Sequence, residues 1–551
     1  MYLFFLGLIN GIVTGLVYSI EELWWGIFFC MLPFAGIVLT QQKTSGFVWG
    51  YGMGYHATGL AFLLKLSSML PLPRYAAYLL MGAAILLAGF ILTIFFQLVF
   101  WIYGQRRKRS VADVWLFAGA YILAEWLQGM IPIFAFPWFR PATVVAERPI
   151  FLQGSSLFGV LFVDFLIVLW NAVLARVIIK RRAEGGVVAA LGLIAGVLLY
   201  GEVRLYGAGT VGEYDTGALV QKTARSQSVQ SEAGMGGMVQ NEAGQELSGT
   251  TQDGQVRTGL RVMLIQGNHE GREKWGMEIT DILEDYMQII EAHIDDEISL
   301  VVMPETALPY AIEEHGETKS RLLRICREYG VELLVGGIEK AGDRESYNAV
   351  YHVTSEGIRR PAYRKRILVP FGEYLPFAPL VERVCPWLME FMTGNVFEAG
   401  DEEIIFETNI GRIGTLICFE SVFSKAARET VEEGAQLLAI VSNDAWFEGT
   451  PAMRQHHAHA IIRAVETDRY ILRVGNTGIS SLIDNRGQIQ VTMPENARGA
   501  LKAAAALCVD ETIYSEVGDV LPVFFSVLYV FVIIKKAGVL IFSHLSAIIN
   551  R

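Results

Sequence analysis

Eight stretches of this chain are apolar over the length that a bilayer demands, and they decide what it can fold into. A transmembrane helix takes about 20 mostly apolar residues. Seven such stretches precede residue 210, at about 3–20, 23–39, 46–66, 75–103, 112–133, 151–179 and 187–206. An eighth runs from about 519 to 534, just ahead of Lys535 and Lys536. The first 100 residues hold five charged side chains, Glu21, Glu22, Lys43, Lys65 and Arg74, as suits a chain dissolved in lipid. The first stretch lacks a basic leader and a small-residue cleavage site, so it reads as a span rather than a removed signal.

Loop charges give the orientation. The loops after spans two, four and six carry Lys43, then Arg106, Arg107, Lys108 and Arg109, then Lys180, Arg181 and Arg182. Those after spans one, three and five carry none, then Lys65 and Arg74, then Arg140 and Arg148. Lys and Arg concentrate in cytoplasmic loops, so both termini are expected inside a plasma or inner membrane and everything between spans seven and eight outside.

The rest divides by composition. Residues 1–210 form the seven-span bundle. Residues 211–258, rich in Gly, Ser, Thr, Gln and Glu without an apolar period, read as a flexible tether. Residues 259–516 read as a soluble α/β domain, and 517–551 as a last span with a cytoplasmic tail. Within the soluble part, β-rich runs at 260–266, 298–304, 331–337, 412–419, 437–443 and 470–476 alternate with helical stretches at 274–293, 317–329, 421–434 and 454–468. Continuous apolar runs are the mark of strands buried on both faces. A net charge of −11 argues against a nucleic-acid partner. The five cysteines are scattered with no CxxC pair, so neither a bridge framework nor a zinc site is implied.

Three polar residues stand where strands end: Glu305 after ISLVVMP, Lys365 in AYRKRILVPFGEY, and Cys418 at the close of RIGTLIC. A thiol attacks as thiolate, so it wants a base and a cation beside it. Glu305 can take its proton, and Lys365 with the backbone N–H of Phe419 can hold an oxyanion. Taken singly, each residue reads as ordinary: an inert core cysteine, a capping glutamate, a surface lysine.

Their order and flanking sequence set them apart. PETALP, YRKRILVPFGEYLP and GTLICFES resemble the Glu-Lys-Cys signatures of the nitrilase, or carbon–nitrogen hydrolase, superfamily. IQGN with Lys274-Trp275, VPFGEY, Glu125-Trp126, Phe136 to Trp138, SNDAWF, and Gly518-Asp519 are similar to the apolipoprotein N-acyltransferases. The resemblance implies a multi-span α-helical membrane bundle, of about eight transmembrane helices, carrying an α/β four-layer αββα nitrilase-like domain. It implies Glu305 as acid and base, Lys365 as oxyanion stabiliser and Cys418 as nucleophile, supported by Glu373, Phe419 and Glu420. Trp275, Trp387 and Trp446 are implied in substrate binding. The chain departs from the family pattern in having Phe419 for tyrosine, Glu448 after SNDAWF, and a long tether.

The implied activity moves an acyl chain from a phospholipid, through a cysteine thioester, to the α-amine of a diacylglyceryl-cysteine on a lipoprotein. No metal or cofactor is implied. Two other readings are a membrane-tethered amidase acting on a small amide, and a transporter or sensor with an inactive domain. Leu380, Val384, Trp387, Leu388 and Phe391 recur at helical spacing and predict an interfacial helix facing membrane lipid. Glu125, at the edge of the fifth span, is a costly intramembrane carboxylate, and Asn171 in the sixth is expected to bond between helices. His456, His457 and His459 lack a carboxylate or cysteine at metal-site spacing, so they read as helix-surface residues or as support behind the site.

Overall fold

A computed structural model describes residues 1–41, 43–70, 72–105, 110, 112–131, 135–181, 184–207, 257–270, 274–341, 345–384, 386 and 396–549. The chain is a membrane protein. Among these residues five helical segments are long and apolar enough to cross a bilayer: Tyr2–Ser19, Glu21–Thr40, Arg74–Gly104, Val160–Lys180 and Gly185–Tyr206. The stretch at 112–133 is one helix, Asp113–Met130, and that at 519–534 opens the helix Val520–Ile549, while two of the expected stretches are interrupted. The stretch at 46–66 is an α-helix only over Ser45–Gly59 and tightens into a 3-10 helix over Leu60–Met69. The stretch at 151–179 begins as two single turns, Pro149–Leu152 and Ser155–Phe158, before the continuous helix starts at Val160. Apolar length registers a run of lipid-compatible residues but not a Pro or Gly that resets the backbone within it. Pro149 and Gly159, the latter at φ 75°, are those breaks.

Tyr2–Ser19 and Ser45–Gly59 cross at backbone contact. A Cβ on Gly11 would lie 2.1 Å from the Tyr51 carbonyl oxygen, and one on Gly50 2.0 Å from that of Phe4. Small residues four apart permit this approach, which apolar packing against lipid cannot drive by itself. Gly50→Leu should therefore cost about 1–3 kcal/mol through overpacking, read as a lowered melting temperature in detergent. Asn171 ties the sixth expected span to the segment after the first: its Nδ2 donates to the Ile27 carbonyl (3.0 Å) and its Oδ1 accepts from the Met31 N–H (3.2 Å).

Beyond the bundle lie two sheets. The first contains β1 (Arg257–Gln266), β2 (Leu300–Val302), β3 (Leu308–Ala311), β4 (Glu332–Ala341), β5 (Glu345–Thr354), β6 (Gly357–Ile358) and β7 (Tyr363–Arg364). The second contains β8 (Ile405–Thr408), β9 (Gly411–Ile417), β10 (Leu437–Ser442), β11 (Ile471–Gly475), β12 (Ser480–Ile483) and β13 (Ile489–Met493). The chain then returns to the first sheet as β14 (Gly499–Leu507), giving orders β14-β1-β2-β4-β5-β6 and β13-β12-β11-β10-β9-β8. Alternation along each strand sets the layers. Val262 and Leu264 of β1 meet Ile413 and Ile417 of β9 and Leu437, Ala439 and Val441 of β10 in one core between the sheets. Met263 and Ile265 face outward under the helices Ile279–His293 and Gly316–Tyr329. Leu416, Leu438 and Ile440 face outward on the other side, where helices Ser424–Glu432 and Ala452–Thr467 and the membrane bundle share one core. Helix, sheet, sheet, helix: these are the four layers expected, with the bundle as a fifth.

All of Ala452–Thr467 except Arg454 is buried, although this helix is rich in polar residues. Buried polar groups need partners, and the bundle supplies several. Gln455 accepts from the Trp138 indole N–H (2.8 Å) and donates to the Tyr18 carbonyl (2.9 Å). Glu466 accepts from the Val160 backbone N–H (2.5 Å), capping a spanning helix from across the junction. His459 Nε2 lies 3.1 Å from the Trp138 carbonyl oxygen.

Candidate active site

β9 and β10 run parallel, and the chain leaves β9 through a 3-10 turn, Cys418–Val422, before the next helix starts at Ser424. Cys418 opens that turn at φ 52°, a left-handed conformation that a residue with a Cβ seldom holds. Such strain needs surroundings that enforce it. Glu420 is one source. Its carboxylate accepts from the backbone N–H of Ile417 (2.7 Å), Arg366 (2.6 Å) and Ile367 (3.1 Å) and from the Tyr363 hydroxyl (2.8 Å). It thereby clamps the nucleophile turn to the segment that carries Lys365. Glu420→Gln replaces an acceptor by a donor in that clamp. A misplacement of about 1 Å can cost ~10²-fold in rate, so the covalent reaction proposed below for Cys418, followed by intact mass, should slow by about that factor.

The carboxylate side is built from the first sheet. Glu305 follows β2, and its loop lies against β4 because Gly336 presents no side chain there; a Cβ would sit 2.1 Å from the Pro304 carbonyl oxygen. Lys365 follows β7 and is fully buried, its Nζ donating to Glu305 Oε1 (3.2 Å) and Glu373 Oε1 (2.8 Å). Asn348 on β5 donates Nδ2 to the same two oxygens, at 2.7 and 3.0 Å. The second oxygens accept from backbone N–H groups: Asn443 to Glu305 (2.7 Å) and Val369 to Glu373 (2.8 Å). Two carboxylates and one ammonium are thus fixed on both sides.

Sequence reading missed Asn348, since a lone asparagine in a strand gives no signal. It also left Lys274 without a role. That lysine is fully buried and points Nζ at the Glu305 carbonyl oxygen (3.3 Å) and the Thr306 hydroxyl (3.4 Å). Burial, against a smaller opposing pull from Glu305, brings its ammonium down to about 7.

The electrostatics correct one expectation. Sequence chemistry asked for a thiolate, but burial pushes the Cys418 thiol well above its ordinary value, and the Glu305 carboxylate pushes it further than Lys365 pulls it back. Reaction at this sulfur therefore calls for a neighbouring group that takes its proton. Lys365 stays charged: burial disfavours its ammonium, yet Glu305 and Glu373 together hold it above the ordinary lysine value.

The remaining expected residues scatter in role. Phe419 turns away from the carboxylates into an aromatic cluster of the bundle, stacking on Phe136 (centroids 5.8 Å) and Trp138 (6.5 Å). That apolar seat suits phenylalanine. Trp446 is half-buried in the 3-10 turn Asp444–Phe447 after β10. Trp275 belongs to the 3-10 turn Lys274–Gly276, but its side chain lies outside the described residues, as do Trp387, Leu388 and Phe391. Of the stretch expected as an interfacial helix, Ala378–Val384 is helical with Leu380 61% exposed, and the side chains of the remaining members of the stripe lie outside the described residues.

The histidines are not helix-surface residues. His456, His457 and His459 are all buried. Spacing gave His456 no carboxylate or cysteine, yet the fold brings Asp444 and Cys418 from other elements, with one donor atom of each residue within 4.8 Å of the others. The Arg473 guanidinium bonds Asp444 (2.8 Å) inside the same cluster and balances its charge.

Comparison with known proteins follows the same division of the chain. The family described as carbon-nitrogen hydrolase matches residues 261–509, and that described as apolipoprotein N-acyltransferase N-terminal domain matches residues 10–173. The chain is 34% identical over 270 residues to an apolipoprotein N-acyltransferase of Geobacter metallireducens, a match spanning 47% of this chain and about half (50%) of that relative. It is 29% identical over 495 residues to one of Methylococcus capsulatus, covering 87% of this chain and 86% of the other. Among solved structures, Saccharomyces cerevisiae Nit3, a member of branch 10 of the nitrilase superfamily, aligns with 47% of this chain and 94% of its own at 18% identity and a TM-score of 0.36.

Proposed function

Because the chain belongs to the apolipoprotein N-acyltransferases, we propose that it transfers a fatty acyl chain from a phospholipid to the α-amine of a diacylglyceryl-cysteine at a lipoprotein N-terminus. The observation that carries this reading is the Glu305–Lys365–Glu373 cluster beside a strained, half-buried cysteine whose turn packs on an aromatic loop of the membrane bundle.

The Cys418 thiol passes its proton to Glu305 as the sulfur attacks the phospholipid ester carbonyl. Lys365 and the Phe419 N–H stabilise the oxyanion. When the C–O bond breaks, Glu305 returns the proton to the departing lysophospholipid, and a thioester remains. The neutral α-amine of the lipoprotein cysteine then attacks the thioester while Glu305 takes its proton. Collapse breaks the C–S bond, the proton goes back to sulfur, and an amide is released. Amide replaces thioester, so the second step runs downhill. Glu373 keeps Lys365 charged and in place.

Both substrates are lipids, so the entrance must be apolar. Phe371, Phe377 and Leu380, exposed by 58%, 55% and 61%, lie on the segment that follows Lys365 and support a lipid-facing mouth. The side of the membrane follows from the bundle. Lys65 contacts Glu448, and Val160 bonds Glu466, so these bundle ends meet the α/β domain. The helix Val160–Lys180 then carries Lys180 about 31 Å away. With basic loops cytoplasmic, this supports an extracytoplasmic α/β domain.

The test is to incubate purified full-length protein with phospholipid and a diacylglyceryl peptide and weigh the peptide. A gain of one acyl chain is expected. An unchanged peptide, together with ammonia released from small amides, would replace this reading with the amidase.

A further inference from the structure

Around the turn that carries Cys418, a second charged cluster is buried and has no part in the chemistry above. His456, on the junction helix, places Nε2 3.0 Å from the Cys418 carbonyl oxygen and Nδ1 2.7 Å from Asp444 Oδ1. Asp444 also accepts from the Ser442 hydroxyl at Oδ1 (2.6 Å) and from Arg473 Nη2 at Oδ2 (2.8 Å). The Ser421 hydroxyl donates to the same Cys418 carbonyl (2.8 Å) and lies 3.1 Å from His456 Nε2.

The hydrogen-bond inventory fixes the protons. A carbonyl oxygen only accepts, so Nε2 must carry hydrogen. Asp444 receives donors on both oxygens, as an ionised carboxylate does. Burial pushes this carboxyl up, but His456 and Arg473 outweigh burial and hold it well below the ordinary range. An ionised carboxylate also only accepts, so Nδ1 must carry hydrogen too. Arg473 Nη2 is 3.2 Å from Nδ1, but its nearer partner is Asp444. Both ring nitrogens donate.

We propose that His456 is a positioning residue, held as an imidazolium between the Cys418 carbonyl and the Asp444 carboxylate, which pins the nucleophile in its left-handed conformation and sets a second cation beside the sulfur. The charges then balance across the site. Arg473, His456 and Asp444 sum to +1 in one cluster; Lys365, Glu305 and Glu373 sum to −1 in the other. As the proton moves from sulfur to Glu305, the negative charge shifts toward the His456 cluster. The other titratable groups packed against this cluster do not offset it. Burial, then Arg473, brings His457 down to about 3, and burial holds His459 neutral as well. Lys274 lies beyond Glu305.

This inference rests on the proposed reaction for its purpose, but its tests need no lipid substrate. With full-length protein in detergent, alkylation of Cys418 by iodoacetamide at pH 8, read by mass and peptide mapping, should be at least tenfold slower in His456→Gln than in wild type. One unit of thiol pKa gives that factor. A role in packing alone would lower the melting temperature of the variant and leave the alkylation rate of its folded fraction unchanged. If His456→Gln does not fold, wild type labelled with 15N-histidine decides. One histidine with both ring nitrogens protonated is expected under the conditions of the alkylation assay. Its absence, or a folded variant alkylated within about twofold of wild type, overturns the proposal. A protein that passes both tests yet moves no acyl chain refutes the lipid reading and leaves this one standing.

Discussion

Wild-type protein incubated with phospholipid alone gains the mass of one acyl chain, and Cys418→Ala gains none. This is the largest effect the structure leads us to expect. Loss of Cys418 removes the proposed covalent path, and among the described residues no second thiol joins the Glu305–Lys365 cluster. Cys30, Cys326 and Cys508 are buried away from the cluster, and burial pushes the thiols of Cys326 and Cys508 up to about 12. Residual adduct on Cys418→Ala at more than about a hundredth of the wild-type rate would mean that another residue accepts the acyl chain. Hydroxylamine, which cleaves thioesters, should restore the original mass of the wild-type adduct.

Glu305→Gln should separate two properties that usually travel together, reactivity of the thiol and turnover. The amide keeps the size of the side chain and can still accept from the Asn443 N–H, but it cannot take a proton. A general base contributes about 10²–10⁴-fold, so acylation by phospholipid should fall by about 10³-fold. Alkylation by iodoacetamide should change the other way. In the wild type the Glu305 carboxylate raises the Cys418 thiol, second only to burial. Removing that charge lowers the thiol value, enlarges the thiolate fraction at pH 8 and speeds alkylation. A variant slow in both assays would show that glutamine has disturbed the cluster through Asn348 and Lys365. A variant fast in both would show that Glu305 is not the base.

The strands at 260–266, 298–304, 331–337, 412–419, 437–443 and 470–476 all occur in the structure, within a few residues of their expected ends. They were legible because strands buried between layers leave unbroken apolar runs. β5, β12, β13 and β14 carry polar or small residues, such as Asn348 on β5, Ser480 and Ser481 on β12 and Ala503 to Ala506 on β14, and gave no such run. The spans were legible as apolar length, but their breaks were not, because one proline or glycine barely alters the average over 20 residues. The contact between Tyr2–Ser19 and Ser45–Gly59 was written as glycines four apart and went unread.

At the site, Glu305, Lys365 and Cys418 stood out through the motifs around them, and Glu420 through its position beside the nucleophile. Its four-way clamp was invisible, since three of its donors are backbone N–H groups supplied by two different loops. His456 was left between two readings, helix surface or support behind the site, for a related reason. Metal spacing and helix periodicity are local rules, and they could not choose the second, which the structure shows. Its partners, Asp444, Arg473 and the Cys418 carbonyl, come from a 3-10 turn, β11 and the nucleophile turn, which sequence distance does not relate.

The burial of Ala452–Thr467 makes the two halves one cooperative unit. Its outward face bonds Tyr18, Trp138 and Val160 of the membrane half, while its inward face holds His456 against the nucleophile turn. An excised α/β fragment would leave Gln455, His459 and Glu466 stripped of these partners and Phe419 and Phe447 bared to water. Severing the covalent connection between the bundle and β1 should for the same reason leave the halves associated and melting together.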